Sequence, residues 1–300
     1  MRNVISNVRF VAGLTAFVTI VFAQSAMSAE GDPAQKGDGI IEPGEDEIAE
    51  LARAAQNPVA NMISFPIQNN LTFNTGPQGK ALNVMNVQPV WPVTVSENWN
   101  IITRTVFPII SAPPLAPEGA PGGLDDRQWD LADTIFTAFL SPSKPDKWIG
   151  GKVLWGVGPV LQIPTSSSDL FGKKWGLGPS IVFLGMPGNF VLGGLLNNIW
   201  SVGGSGDQDV NQFFSQFFVN YNLSDGWYLI TAPIITANWK ADEGNKWTVP
   251  VGGGFGKIFR WGKAPPMNVN IQGYYNAVKP DGIGRGVLRL QFQLMFPKRR

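Results

Sequence analysis

The chain has 300 residues, is 44% hydrophobic and only 15% charged, carries a formal net charge of +1, and contains neither cysteine nor histidine. The balanced charge leaves no electrostatic footprint for nucleic acid or for an acidic partner, so no nucleic acid is expected. Without cysteine there is no disulfide framework or thiolate metal site. Without histidine there is no Ser-His-Asp, Cys-His or histidine-zinc chemistry, so no catalytic residue, metal or cofactor is expected.

In chain order, Met1, Arg2 and Arg9 precede an apolar run from Phe10 to Ala23, and small residues follow through Ala29. A basic start, a short apolar core and a small-residue exit describe a secretory signal peptide over residues 1–29. Cleavage after Ser28 competes with cleavage at Ala23 or Ala29. The alternative of a single membrane anchor is disfavoured because the run is shorter than the ~20 residues of a spanning helix.

Residues 30–60 form a separate segment. Ile48, Leu51, Ala52 and Ala55 fall at i, i+3, i+4 and i+7, which predicts one short amphipathic helix. Glu45, Asp46 and Glu47 occupy its first turn, where the helix dipole favours acids, and Asn57-Pro58 ends it. This segment either lies loosely in the periplasm or enters a barrel as a plug, in which case Ile48, Leu51, Asn57 and Pro58 are the plug candidates.

From Met62 onward the hydropathy alternates with period two. About twelve segments follow, at 62–73, 82–95, 99–109, 129–140, 149–163, 174–185, 190–201, 210–223, 227–239, 247–259, 266–278 and 286–296. Their lengths suit tilted spanning strands of ~9–11 residues with short extensions. In the last, Leu288, Leu290, Phe292, Leu294 and Phe296 share one face. Arg289, Gln291 and Gln293 take the other, and Met295 is the odd residue. The segments at 190–201 and 247–259 alternate poorly because glycine runs blur them. No window past Ala29 suits a transmembrane helix, and a spanning backbone must satisfy its own hydrogen bonds. The predicted fold is therefore all-β: an antiparallel up-and-down transmembrane barrel of about twelve strands over residues 61–296, with a short N-terminal helix. A soluble secreted β-protein would have to hide the apolar rows, since large apolar patches are rare on soluble monomers.

Two patterns support the barrel. With both ends of an even-stranded barrel in the periplasm, the connections 96–98, 141–147, 186–189, 224–226 and 260–265 lie on the periplasmic side. The outer connections 111–128 and 164–173 are longer, as such barrels require. Nine of the 11 tryptophans fall near strand ends, leaving only Trp91 and Trp155 between them, and tryptophan prefers membrane interfaces.

The stretch Ala55-Gln56-Asn57-Pro58-Val59-Ala60 leads into Ile63-Ser64-Phe65-Pro66-Ile67-Gln68-Asn69-Asn70. It is followed by the turn Ser96-Glu97-Asn98-Trp99 and by the Trp-Gly-x-Gly-Pro strands at Trp155–Pro159 and Trp175–Pro179. Together these resemble a family of bacterial outer-membrane barrels grouped with a phenol-degradation-pathway (MetA-pathway) protein, whose members are commonly labelled transporters. The resemblance covers residues 51–296. It is related in spirit to long-chain fatty-acid channels, which carry an Asn-Pro-Ala element in an N-terminal segment entering the barrel; here Val59 replaces the alanine. It implies an exported protein of the bacterial outer membrane that passes small hydrophobic or aromatic solutes and meets membrane lipid, lipopolysaccharide and the barrel-assembly machinery.

The expected lumen-lining residues are Gln68, Asn70, Asn86, Gln88, Arg104, Lys152, Gln212, Gln216, Asn220, Asn268, Asn270, Gln272, Arg289, Gln291 and Gln293. Neutral amides bind water or a solute without strong ion selectivity, so neutral or weakly polar solutes are expected. The same amides would also serve a closed internal network in a non-conducting structural or surface-binding barrel. In that case the Pro- and Gly-rich outer connection 111–128 is the candidate lid or receptor surface.

Overall fold

Alternating strands with one apolar and one polar face need a boundary between two media, and closing the sheet on itself removes the unpaired edges. The computed structural model describes residues 51–114, 126–148, 151–167, 172–205, 209–262 and 264–297. The expected signal segment and Ile48 lie outside the described residues. Residues 51–55 are helical, and no described helix is long and apolar enough to cross a membrane.

The strands are β1 (Met62–Thr75), β2 (Lys80–Val87), β3 (Val90–Thr94), β4 (Trp99–Ala112), β5 (Gln128–Leu131), β6 (Thr134–Pro142), β7 (Asp146–Trp148) and β8 (Gly151–Ile163). They continue with β9 (Lys174–Pro187), β10 (Phe190–Gly204), β11 (Asn211–Asn222), β12 (Trp227–Thr231), β13 (Ile234–Asn238), β14 (Trp247–Phe259), β15 (Met267–Val278) and β16 (Gly286–Pro297). Three crossings are interrupted, at Gln88-Pro89, at Ala132-Asp133 and at Ala232-Pro233, and β7 is a short extension paired with β8. Counted as crossings, the strands make a closed 12-strand antiparallel barrel, as the alternation predicts.

The barrel closes where β1 pairs β16, in one unbroken register from Met62↔Pro297 to Thr72↔Val287. Strands of 12 residues such as β15 are about 40 Å long and, tilted about 40°, span the ~30 Å of a bilayer's hydrocarbon core. Both described barrel ends therefore sit at one rim, the terminal rim. It also carries the tight turns at 188–189 and 223–226, while the strand ends Ala112, Gln128, Ile163 and Lys174 and the connections 239–246 and 279–285 lie at the far rim; most of the expected lid connection 111–128 lies outside the described residues.

Residues paired across adjacent strands share a face, so one register fixes the whole wall. Asn70 is opposite Arg289, Gln68 is opposite Gln291 and Asn86, and Asn270 is opposite Gln291. These residues face inward. Their chain neighbours face outward, including Phe65, Phe73, Phe255, Tyr275, Phe292 and Phe296, all exposed. Trp99, Trp227 and Trp261 are exposed near the terminal rim, and Trp129, Trp175, Trp200, Trp239 and Trp247 near the far rim. Adjacent rings interlock: Trp239 and Trp247 meet edge to face at 5.3 Å, and Trp99 meets Trp155 at 6.0 Å. Two tryptophan belts flanking an outward apolar band are what a membrane-spanning surface requires.

The strands that alternate poorly have a local cause. Inward-facing Gly193 in β10 is covered by the Phe218 ring of β11, and Gly256 in β14 by the Tyr228 ring of β12. An aromatic ring from the next strand fills the place of the missing side chain. Met295, the residue that breaks the alternation of β16, is fully buried against Ala52, Met62, Tyr228 and Ile258.

Candidate functional site: the barrel interior

The interior has two unlike walls. β15, β16 and β1 present mainly amides, with Asn, Gln or Arg at inward positions 68, 70, 268, 270, 272, 276, 289, 291 and 293. Tyr228 donates to Asn268 at 2.6 Å and accepts from Asn270 at 3.2 Å, and Asn268 donates to Gln293 at 3.1 Å. Gln272 donates to Asn270 at 2.6 Å and accepts from the Tyr274 hydroxyl. Arg289 donates from Nε to Asn70 at 2.7 Å, and Gln68 reaches the same Asn70 oxygen at 3.5 Å. These groups are nearly all buried, and hydrogen bonding is what makes their burial tolerable.

The opposite wall is apolar. Ile102, Phe139, Leu154, Val182, Leu184, Val191 and Leu195 form one buried cluster, with Phe214 and Phe218 packed on it. A smaller apolar cluster of Leu82, Ile110, Ala112 and Ala132, with Ile283 from the connection 279–285, lies toward the far rim. Apolar burial of this kind contributes about 25 cal/mol per Å², and the buried Ser141 and Ser180 on these strands donate to the backbone carbonyls of Trp155 and Leu196.

At Ala232-Pro233 the strand is interrupted and proline has no N–H to offer. The free backbone groups of Ala232 are taken up from inside. Its N–H donates to the Tyr274 hydroxyl at 2.8 Å, and its carbonyl accepts from Arg289 Nη1 at 2.6 Å and Gln216 Nε2 at 3.4 Å. Gln216 sits between Phe214 and Phe218 on the inward face of β11, so the polar and apolar walls meet at this one carbonyl.

The terminal mouth is occupied by residues 51–60. Ala52 is buried against Met62, Tyr228, Ile258 and Met295, with Leu51, Ala54 and Ala55 alongside. Asn57 turns the chain by accepting the Val59 N–H at 2.9 Å, and Val59, 5% exposed, inserts into the apolar wall beside Ile102 and Phe139. Gln56 donates to Asn222 at 2.8 Å, and Arg53 donates to the Gly188 carbonyl at 3.2 Å. Of the plug candidates, Leu51, Asn57 and Pro58 thus belong to a segment packed inside the barrel.

The sequence-derived lumen residues fall as follows. Gln68, Asn70, Asn86, Gln88, Asn220, Asn268, Asn270, Gln272, Arg289 and Gln293 are inward and buried. Gln212, Gln216 and Gln291 are inward and half-buried. Arg104 is inward and donates to Gln88. Lys152 shares the inward register but is exposed at the terminal rim, where its β9 partner is Met186. Asp133 is buried and does not point to free lumen: it accepts from Gln162 at 2.8 Å and from the Ser166, Lys173 and Lys174 N–H groups, fastening the far-rim connection. Asn86, Asn100 and Asn220 each keep a buried amide oxygen with no partner among the described residues. The inward phenylalanines and Tyr228 and Tyr274 are not among the candidates, which comprise only the amides and basic residues of the inward faces; the alternation of β15 does put Tyr274 on the amide face. Among the described residues no cluster of acids suits a metal ion.

No protein-family model matches the chain, and a search of curated proteins finds no match either. Solved structures do match. The crystal structure of an outer membrane channel from Pseudomonas putida F1 superposes with a TM-score of 0.55 at 12% identity, covering 79% of this chain and 96% of that one. Outer membrane phospholipase A from Escherichia coli gives a TM-score of 0.41 at 13% identity, covering 84% of this chain and 97% of that one. The likeness to the Pseudomonas channel is one of fold. The chain has no histidine, so a histidine-dependent hydrolase site cannot be built in its barrel.

Proposed function

We propose that this protein is an outer-membrane channel through which small hydrophobic or aromatic solutes pass passively, with residues 51–60 as the gate at its periplasmic mouth. The observation that carries the reading is the divided interior. A lumen lined only by amides suits water and small polar solutes, whereas an apolar wall facing an amide wall gives a solute with an apolar body contacts on one side and hydrogen bonds on the other. The tryptophan belts and outward apolar band support residence in a bilayer, with lipid and lipopolysaccharide as surroundings. The fold shared with a Pseudomonas outer membrane channel supports the outer membrane as that bilayer, and the basic and apolar N-terminus supports export.

A second reading, a non-conducting structural barrel, is favoured by the same plug and by the amide network on β15 and β16. The two separate in planar bilayers. Single-channel recording of the full-length mature chain and of a form lacking residues 30–60 is expected to show rare, small openings for the first and larger, sustained conductance for the second. Correctly inserted protein that conducts in neither form would sink the channel reading in favour of the structural one.

A further inference from the structure

The far-rim connection between β15 and β16 is pinned on both sides. The Gly76 N–H donates to the Gly282 carbonyl at 2.8 Å and the Gly284 N–H to Thr75 Oγ1 at 3.1 Å, tying it to the end of β1. The Asn276 amide donates to the Gly284 carbonyl at 2.8 Å, and the Asp281 N–H donates to Asn245 of the 239–246 connection at 2.6 Å. Between this connection and the turn after β1 lies a cleft of about 380 Å³, lined among others by Lys279, Arg285, Gly76, Gly282, Gly284 and Gly286. Gly76 and Gly282 hold left-handed φ of 72° and 78°, so both turns are made by residues with no side chain to fill the cleft. Two cations thus line one pre-built cleft, on a connection whose acid is Asp281.

The cleft also meets the outward face of the wall. Gly286 lines it and pairs with Tyr275 on β15, and a β-carbon at Gly286 would lie 3.6 Å from the Phe73 ring. Phe73 and Tyr275 are 41% and 52% exposed on the outward face, so Gly286 is a notch between two outward rings. The Arg285 guanidinium lies 5.4 Å from the Tyr275 ring centroid, and its Nη1 donates to the Asn276 and Ala277 carbonyls at 3.2 and 3.5 Å. A fixed cation therefore stands at the top of the aromatic layer. Guanidinium and ammonium groups hold phosphate by charge-assisted hydrogen bonds, and basic pockets at a membrane interface recognise lipid head groups. We propose that Lys279 and Arg285 bind the phosphate of an acylated head group in the outer leaflet, with an acyl chain lying over Gly286 between Phe73 and Tyr275. A free phosphate would use the cations and not the notch. This rests on the outer-membrane reading, and it assigns one lipid a fixed site where that reading has lipid only as surroundings.

The test is native mass spectrometry of the full-length protein in detergent, with lipid A and with the same lipid freed of its phosphates by hydrofluoric acid. Lipid A is expected to bind about tenfold more tightly, the difference charged hydrogen bonds supply. Lys279→Gln combined with Arg285→Gln should abolish that preference. Lys240→Gln removes an exposed cation from the neighbouring connection at the same rim and should leave it intact. Gly286→Leu fills the notch and should weaken lipid A severalfold, and sodium phosphate in excess should compete poorly. Heat-modifiable mobility on a gel checks that each variant is folded, and the comparison of the two lipids in the unsubstituted protein stands if a variant does not assemble. Equal binding of the two lipids, no binding of either, or a preference that survives the double substitution overturns the proposal. Lipid A binding that ignores Gly286→Leu and is displaced by sodium phosphate assigns the cleft to free phosphate and overturns it too. Conductance is scored separately. A conducting barrel without the lipid preference keeps the channel and loses the site, and a lipid A-selective barrel that never conducts does the reverse.

Discussion

Val59→Ala measures how firmly the N-terminal segment is seated. Val59 is 5% exposed and packs among Ile102, Phe139, Leu154, Val182 and Leu184. Truncation removes two methyl groups from a filled site, which costs about 2 kcal/mol once the residual cavity is included. The barrel wall itself is untouched, so the loss falls on docking of residues 51–60, and the undocked population should rise about 30-fold. The chain contains no cysteine, so Ala52→Cys places a single reporter thiol at a position 3% exposed in the docked segment. Maleimide labelling of that thiol should accelerate in proportion to the undocked fraction when Val59→Ala is added. An unchanged labelling rate in a folded barrel would refute the argument that apolar insertion of Val59 holds the segment in place.

Gly256→Ala puts a β-carbon where the Tyr228 ring and hydroxyl lie, breaking the bonds to Asn268 and Asn270 at a cost of about 2 kcal/mol; urea unfolding in vesicles should show the loss, and an unshifted midpoint counts against ring-over-glycine packing. Asp133→Asn removes the charge that receives the Ser166, Lys173 and Lys174 N–H groups, so hydrogen exchange at those amides should quicken by about tenfold or more. In vesicles of brominated-chain phosphatidylcholine the tryptophan fluorescence should be strongly quenched, because Trp91, Trp129, Trp175 and their counterparts face outward; unquenched emission would remove the outward surface from lipid.

The alternation made the wall legible in advance, and in β1, β15 and β16 it separated the two faces residue by residue. It worked there because the inward side chains are amides and the outward ones apolar. Along β8 to β10 both faces are mostly apolar or glycine, so hydropathy has little contrast to read. The doublets Phe213-Phe214 and Phe217-Phe218 put a ring on each face, and it is the amides Gln212, Gln216 and Asn220 that mark Phe214 and Phe218 as the inward pair. Pro233 was a visible signal of an interruption, since proline cannot donate to a ladder, yet which groups answer Ala232 depends on residues some 42 and 57 positions away. Met295 broke the pattern because its partner is not lipid or lumen but the helical residues 51–55. A short amphipathic helix is recognisable from its spacing; that its apolar face is buried inside the barrel depends on Met62, Tyr228 and Ile258 converging from three strands.

The β1–β16 joint has a consequence for assembly. The Arg289–Asn70 bond links residues 219 apart, and Gly284 donates to Thr75 across 209. Contacts so distant along the chain form last, since the whole intervening loop must be ordered first. An open sheet with every other strand in place would still hold Arg289 without Asn70. The amide wall is therefore completed only in the final zipping step, and an unfinished barrel lacks the Arg289–Asn70 link across its seam.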